Sequence, residues 1–233
     1  MTKKVSKRYS GMPAHKNDLE HGAWAQGHYI CGIDEVGRGC LAGPLVTAAV
    51  ILPVNKTSRL LRDSKLLTEE ERHKGALWIA KNCWYAYGIV DNRTIDHYNI
   101  YQATLIAMKK ALVHLLATAP KPTAIVIDAM PLKLSDTRYL DIPVHYFPKG
   151  ERKSSSIAAA SIIAKVKRDQ MMTTFNEIFP GFSFDEHKGY STKKHKDILK
   201  QAPHLIIHRQ SFLRNISTID DQDELDDQQS LIG

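Results

Sequence analysis

CGIDEVGRGCLAGPLVTAAVIL, residues 31–52, is an apolar approach and a longer apolar run, separated by two adjacent carboxylates and a glycine–arginine–glycine turn. The two apolar stretches read as strands over 29–36 and 41–52, with Gly37, Arg38 and Gly39 at the turn. Asp34 and Glu35 interrupt the first strand near its end. Ionised carboxylates in an apolar setting are costly unless they are paired or hold a cation. One stretch therefore bears on both the sheet and the chemistry at its edge.

Working outward, TEEERHKGALWIAKNC (68–83) reads as a helix, opened by a capping box of Thr68 with Glu71 three residues on. WYAYGIVD (84–91) is aromatic and β-branched and reads as a third strand. Short links and a single helix join these three strands, so an antiparallel meander is expected. A helix over about 98–118 carries Tyr101, Leu105, Met108, Leu112 and Leu115 on one face. Two short strands follow, TAIVIDAM (123–130) and IPVHYF (142–147). A long helix from the serines at 154–156 comes next, and its Ala158, Ala159 and Ala160 permit close backbone approach. Strands that follow helical crossovers pair in parallel. The expected fold is thus α/β: a mixed five-stranded sheet flanked by helices, with a C-terminal helical region. The expected division is an N-terminal extension (1–28, with room for a short helix), one catalytic domain (29–215) and an acidic, disordered tail (216–233).

The chain has 233 residues, 43% of them hydrophobic, which is a globular composition. No run approaches the roughly 18 apolar residues of a membrane span, and the basic N-terminus lacks the apolar core of a secretory signal. A cytoplasmic location is expected. Three cysteines without a C-x-x-C pair argue against a disulfide framework and read as small buried hydrophobes. The net charge is +7, yet residues 220–227 hold six acids and no base. Without them the chain carries 32 bases against 19 acids, a balance that favours a polyanionic partner, nucleic acid first.

Asp34, Glu35, Asp128 at the end of AIVID, and Glu151 ahead of the long helix all stand in or beside apolar segments. Singly, each is as consistent with an exposed strand end or a helix cap. As a set, at strand ends on one sheet edge, they repel one another, and a hard dication with oxygen ligands relieves that repulsion. The glycines flanking Arg38 allow close backbone approach to a ligand. HKGYSTKKH (187–195) mixes lysines with Tyr190, a pattern that can track phosphates and stack on a base or sugar. His187 and His195 lack metal-ligand spacing and are not read as zinc ligands. Arg168 and Asp169 read as a scaffold pair.

GIDEVGRG, LAGPLVTAAVIL, DSKLL (63–67), NIYQATLIAMKKAL (99–112), VIDAM (126–130), KGERKSSSIAAASIIAKVKRD (149–169), HKGY (187–190) and HRQSF (208–212) occur in one order. In this the chain closely resembles bacterial ribonuclease HII, over about residues 29–213. The resemblance implies a ribonuclease H-like fold and a metal-dependent endonuclease. Its substrates would be RNA–DNA hybrids and duplex DNA with single embedded ribonucleotides, cut on the 5′ side to leave 5′-phosphates, as in ribonucleotide removal during DNA repair. It implies catalytic and metal-binding roles for Asp34, Glu35, Asp128 and Glu151 in a two-metal site with Mg²⁺ or Mn²⁺. It implies substrate contacts from Gly37, Arg38, Gly39, Lys65, Lys149, Lys188 and Tyr190, and a monomer.

The chain departs from the family pattern at Glu151, where aspartate is usual, which lengthens the reach of that carboxylate, and at Cys40, where proline is usual. Asp34 is expected to be the central bridging ligand and Glu35 to sit to one side, with Gly37 marking where the strand gives way. Gln228, Ser230, Leu231 and Ile232 weakly resemble a sliding-clamp-binding peptide, although a solvated tail is the simpler reading. The competing functions are a DNA-directed nuclease of the same fold, the sister ribonuclease HIII (whose longer N-terminal domain about 28 residues would not accommodate) and a non-catalytic nucleic-acid-binding module.

Overall fold

The computed structural model describes residues 15–133 and 142–214. The expected tail (216–233) and the first 14 residues lie outside the described residues. Five strands form one sheet in the order β3-β2-β1-β4-β5: β1 Ile30–Val36, β2 Leu45–Ile51, β3 Trp84–Val90, β4 Ala124–Asp128 and β5 Val144–Phe147. β1 pairs antiparallel with β2, and β2 antiparallel with β3, while β4 pairs in parallel with both β1 and β5. This is the mixed sheet expected from the connections.

The helices in chain order are α1 Asp18–Trp24, α2 Glu69–Asn82, α3 Asn92–Leu116, α4 Ser155–Ile178, α5 Phe184–His187, α6 Lys193–Gln201 and α7 Gln210–Leu213. α3 covers one face of the sheet, where Met108, Leu112 and Leu115 meet Ile33, Ile125 and Ile127. α4 covers the other, where Ala158, Ala160 and Ile162 meet Val46, Ala48 and Val50. Central strands buried on both faces explain the near-continuous apolar runs in the sequence. The capping box of Thr68 and Glu71 forms at the start of α2 as expected. No helix among the described residues is long and apolar enough to cross a membrane. All three cysteines are free.

Three expectations need correction. β2 begins at Leu45 rather than 41, because the backbone of 41–44 finds its partners elsewhere. Its carbonyls at Ala42, Gly43 and Pro44 accept from the guanidiniums of Arg168 and Arg209, and that of Leu41 accepts from the Arg209 N–H. α3 starts earlier than predicted and is broken at Asn99 (φ 66°, ψ 164°), whose side chain accepts from Gln102 N–H and caps the second half. The stripe read on that second half holds from Met108 onward, but Tyr101 is exposed. Arg168 does not pair with Asp169. The aspartate accepts from Lys165 at 2.8 Å, whereas Arg168 is wholly buried and donates to the carbonyls of Ala42, Pro44 and Lys188.

Candidate active site

β1 carries Asp34 and Glu35 to the end of the sheet. Its pairing with β4 stops at Ile33↔Ile127, while its pairing with β2 runs on to Val36↔Val46. The strand is unbroken through both acids and, as expected, gives way at Gly37 (φ 90°), where the turn begins. Adjacent strand residues point to opposite faces. Yet both acids line one cavity of about 340 Å³, because beyond Ile33 no neighbouring strand walls off the β4 side. With both side chains lining one cavity from an unbroken strand, the expected division, with Asp34 central and Glu35 to one side, does not hold.

Asp128, the last residue of β4, and Glu151, in the 3₁₀ turn Gly150–Arg152 just ahead of α4, line the same cavity. The Asp128 carboxylate accepts from Gly150 N–H at 2.9 Å, which ties the end of β4 to the start of that turn. Asp34 accepts from Glu35 N–H at 2.8 Å and from the Ser161 hydroxyl, which also meets Ser64 at 2.9 Å.

Burial pushes the Asp34 carboxyl well above the usual carboxylate range, and the charges of Glu35 and Asp128 push it further. Glu35 is raised, first by burial and then by Asp128, against the pull of Arg38 at 3.4 Å. Glu151 is raised by burial and by Asp128. Oε2 of Glu35 and Oε2 of Glu151 are buried without a hydrogen-bond partner among the described residues. An all-oxygen set of mutually repelling, incompletely partnered carboxylates fits a hard divalent cation. Among the described residues no three acidic, histidine or cysteine side chains already stand close enough to enclose an ion. The carboxylates line a wall of the cavity rather than closing around a point.

Gly37, Arg38, Gly39, Lys65 and Tyr190 line this cavity too. The two glycines differ in what requires them. A Cβ at Gly37 would stand 2.3 Å from Nε of Arg168, so the buried guanidinium demands that residue together with its positive φ. A Cβ at Gly39 would meet nothing within 4 Å, so the space above it is open for a ligand. The Tyr190 ring is half-buried, with Nζ of Lys165 5.3 Å and the Arg168 guanidinium carbon 5.5 Å from its centroid. Its backbone oxygen accepts from Nδ1 of His195 at 2.9 Å.

Lys149 and Lys188 are not part of the lining. Lys149 occupies the left-handed position (φ 58°) ahead of the Glu151 turn. The Lys188 ammonium donates to the Asp185 carbonyl at 2.6 Å and the Thr173 hydroxyl at 3.1 Å. The cavity instead gains residues that the sequence reading did not single out: Asp63, Ser64, Arg72, Ser161 and Lys165. Asp63 and Ser64 belong to the quoted DSKLL motif. Ser161 and Lys165 lie four residues apart, one turn along α4, and only the placement of α4 against β1 brings them to the acids.

The ribonuclease HII family model matches residues 31–215. A ribonuclease HII of Ligilactobacillus salivarius is 45% identical over 196 residues, covering 83% of this chain and 73% of that protein. Among solved structures, a PCNA:RNase HII complex from Archaeoglobus fulgidus aligns with a TM-score of 0.60 at 29% identity, covering 74% of this chain and 87% of that one. A Bst-RNase HIII solved in complex with Mn²⁺ aligns with a TM-score of 0.56 at 29% identity, covering 67% of this chain and 57% of that one.

Proposed function

The chain belongs to the ribonuclease HII family and is a ribonuclease H; from that premise we propose that it is a metal-dependent endonuclease that cuts on the 5′ side of ribonucleotides, including single ones embedded in duplex DNA. The observation that carries this reading is the convergence of Asp34, Glu35, Asp128 and Glu151 with the 37–39 turn and Tyr190 in one cavity. The four carboxylates would hold Mg²⁺ or Mn²⁺, and the Mn²⁺ in the related HIII enzyme supports the choice of ion class. A bound dication supplies an activated water and charge neutralisation at the phosphate.

The remaining work falls to the chain. The open space at Gly39 lets backbone groups of the turn approach a 2′-hydroxyl, the group that separates RNA from DNA. Lys65, Arg72 and Lys165, around the cavity, meet the phosphates. Tyr190, braced by Lys165 and Arg168, packs on the sugar that follows the ribonucleotide. The role this reading supports is ribonucleotide removal, in the cytoplasm.

The test is a panel of duplexes: all-DNA, RNA–DNA hybrid, and DNA with one ribonucleotide, each with Mg²⁺ and with Mn²⁺. Cleavage is expected at the last two only, with the single-ribonucleotide duplex cut at the phosphate 5′ of the ribonucleotide. Cleavage of all-DNA duplex would instead establish the DNA-directed nuclease, and binding without hydrolysis in both metals the non-catalytic module. Tyr190→Ala is expected to slow cutting at a lone ribonucleotide at least about tenfold more than cutting of a long hybrid, since one stacking contact contributes about 1–3 kcal/mol. Equal losses on both substrates would remove Tyr190 from junction sensing. For the C-terminal residues Gln228, Ser230, Leu231 and Ile232 we propose a sliding-clamp contact, supported by the clamp complex of the archaeal relative. A peptide of residues 226–233 should retain the clamp in a pull-down, and a peptide with Leu231 and Ile232 changed to alanine should not.

A further inference from the structure

α1 precedes the region matched by the family, and it holds the segment that follows the Glu151 turn. Asn17, in the left-handed conformation that asparagine tolerates (φ 67°), grips the junction before α4 from both sides. Its N–H donates to the Lys153 carbonyl at 2.8 Å, and its side-chain oxygen accepts from Ser155 N–H at 2.8 Å. Three residues on, Glu20 is wholly buried. Its Oε1 accepts from the Ser154 hydroxyl and, at 3.1 Å, from Ser156 N–H. Leu19 and Ala23 hold the helix down by packing against Ile30, Val126, Phe147 and Ile157.

The held segment leads directly to the acids. The N–H groups of Lys153 and Ser154 both donate to the Gly150 carbonyl at 2.9 Å, closing the turn that carries Glu151. Gly150 N–H in turn fixes the Asp128 carboxylate. Residues 153–156 are therefore tied to α1 on one side and to two of the four cavity acids on the other. Oε2 of Glu20 lacks any hydrogen-bond partner among the described residues, so its hydrogen-bonded hold on the junction is through Oε1.

We propose that Glu20, assisted by Asn17, is a positioning residue that sets the divalent-cation affinity of the cavity by fixing the 150–156 junction. The inference rests on the metal-site reading of that cavity. The experiment is calorimetric titration of the full chain with Mn²⁺ in the absence of nucleic acid, for the wild type, Glu20→Ala, Glu20→Gln and Asn17→Gly, with thermal unfolding of each metal-free protein alongside. Residues that support metal ligands typically change metal affinity about 10–100-fold when removed. Glu20→Ala is therefore expected to weaken Mn²⁺ binding by at least about tenfold, and to raise the Mn²⁺ needed for half-maximal cleavage in step, with kcat at saturating Mn²⁺ within about threefold of wild type.

Glu20→Gln loses the same charge but keeps an oxygen in the place of Oε1, so it is expected to bind Mn²⁺ within about threefold of wild type. The pair separates positioning from the electrostatic effect of removing an acid. Loss of thermal stability in Glu20→Ala with unchanged Mn²⁺ affinity would reduce Glu20 to a structural residue, and equal weakening in both variants would assign its effect to charge rather than position; either result overturns the inference. Should Glu20→Ala fail to fold, Asn17→Gly, which removes the bond to Ser155 and keeps the left-handed backbone unstrained, carries the test, with about a threefold loss of affinity expected and no change overturning the inference. A wild-type chain that binds no Mn²⁺ would overturn the metal reading itself, an outcome distinct from a bound metal indifferent to Glu20.

Discussion

Asp34→Asn is expected to lower hybrid cleavage by more than about 100-fold, the upper end for a residue that only supports a metal ligand, while hybrid binding survives and the metal-free protein becomes more stable at neutral pH. The two effects have one origin. Asp34 is 8% exposed and faces Glu35 and Asp128, so burial and repulsion raise its pKa. Above about pH 4, where the unfolded chain's aspartates ionise, the folded chain holds this proton longer than the unfolded chain does. The native state then binds more protons, and stability falls as pH rises through the folded pKa. Asparagine removes the ionisation but keeps an oxygen for Glu35 N–H.

The difference in Tm between variant and wild type, measured with chelator present, should therefore be small near pH 4 and grow in favour of the variant towards pH 7. His195 and His208, pulled down to about 4 by burial, stabilise in the opposite direction, a contribution present at neutral pH and lost as pH falls from about 6.5 towards 4. They are common to both proteins and cancel in the difference. Retained metal-dependent cleavage would remove Asp34 from the chemistry, and a Tm difference flat across this range would show that the acids do not strain the fold.

The second large effect is expected at Gly32, which does not line the cavity. A Cβ added there would lie 2.1 Å from the carbonyl carbon of Ser156, 2.3 Å from Ile157 N and 2.4 Å from Ser156 O. All three are backbone atoms of α4, so no side-chain rotation relieves the clash and the helix must lift from β1. Overpacking a core usually costs about 1–3 kcal/mol, and a backbone-to-backbone clash belongs at the upper end. Gly32→Ala should thus lower Tm by roughly 6–12 °C for a chain of this size, and shift the Glu151 turn with the helix. Gly39→Ala, whose added carbon meets nothing, is the control and should leave Tm within about 2 °C. A Gly32→Ala protein as stable as wild type would mean that α4 does not ride on β1 this closely.

The sheet was readable because its signals are local: apolar runs, a capping box, and connection lengths that separate antiparallel from parallel pairing. The four acids were readable because carboxylates in apolar segments are rare enough to stand out. What could not be read depends on packing that no local pattern carries. Nothing in LAGP announces that its carbonyls are taken by Arg168 and Arg209, so the strand was begun too early. Lys165 and Lys188 are both lysines in basic stretches, and only the packing of α4 and α5 turns the first to the cavity and the second to Asp185 and Thr173. Glu20 lies in a stretch without sustained periodicity, where its burial leaves no trace in the pattern.

Arg209 gives the molecule an order of completion. Its guanidinium donates to the Arg38 carbonyl at 2.9 Å across 171 positions of chain, and twice to the Gly43 carbonyl. A chain still emerging from the ribosome can form β1 and β2 and expose Asp34 and Glu35 long before residue 209 is made. Domains complete their long-range contacts last during synthesis, so the turn beside the acids is fixed in shape only when the domain is nearly finished. Until residue 209 is made, the cavity acids would stand beside a turn that lacks the guanidinium joining the Arg38 and Gly43 carbonyls, so one late residue sets when acids and turn take up their final relation.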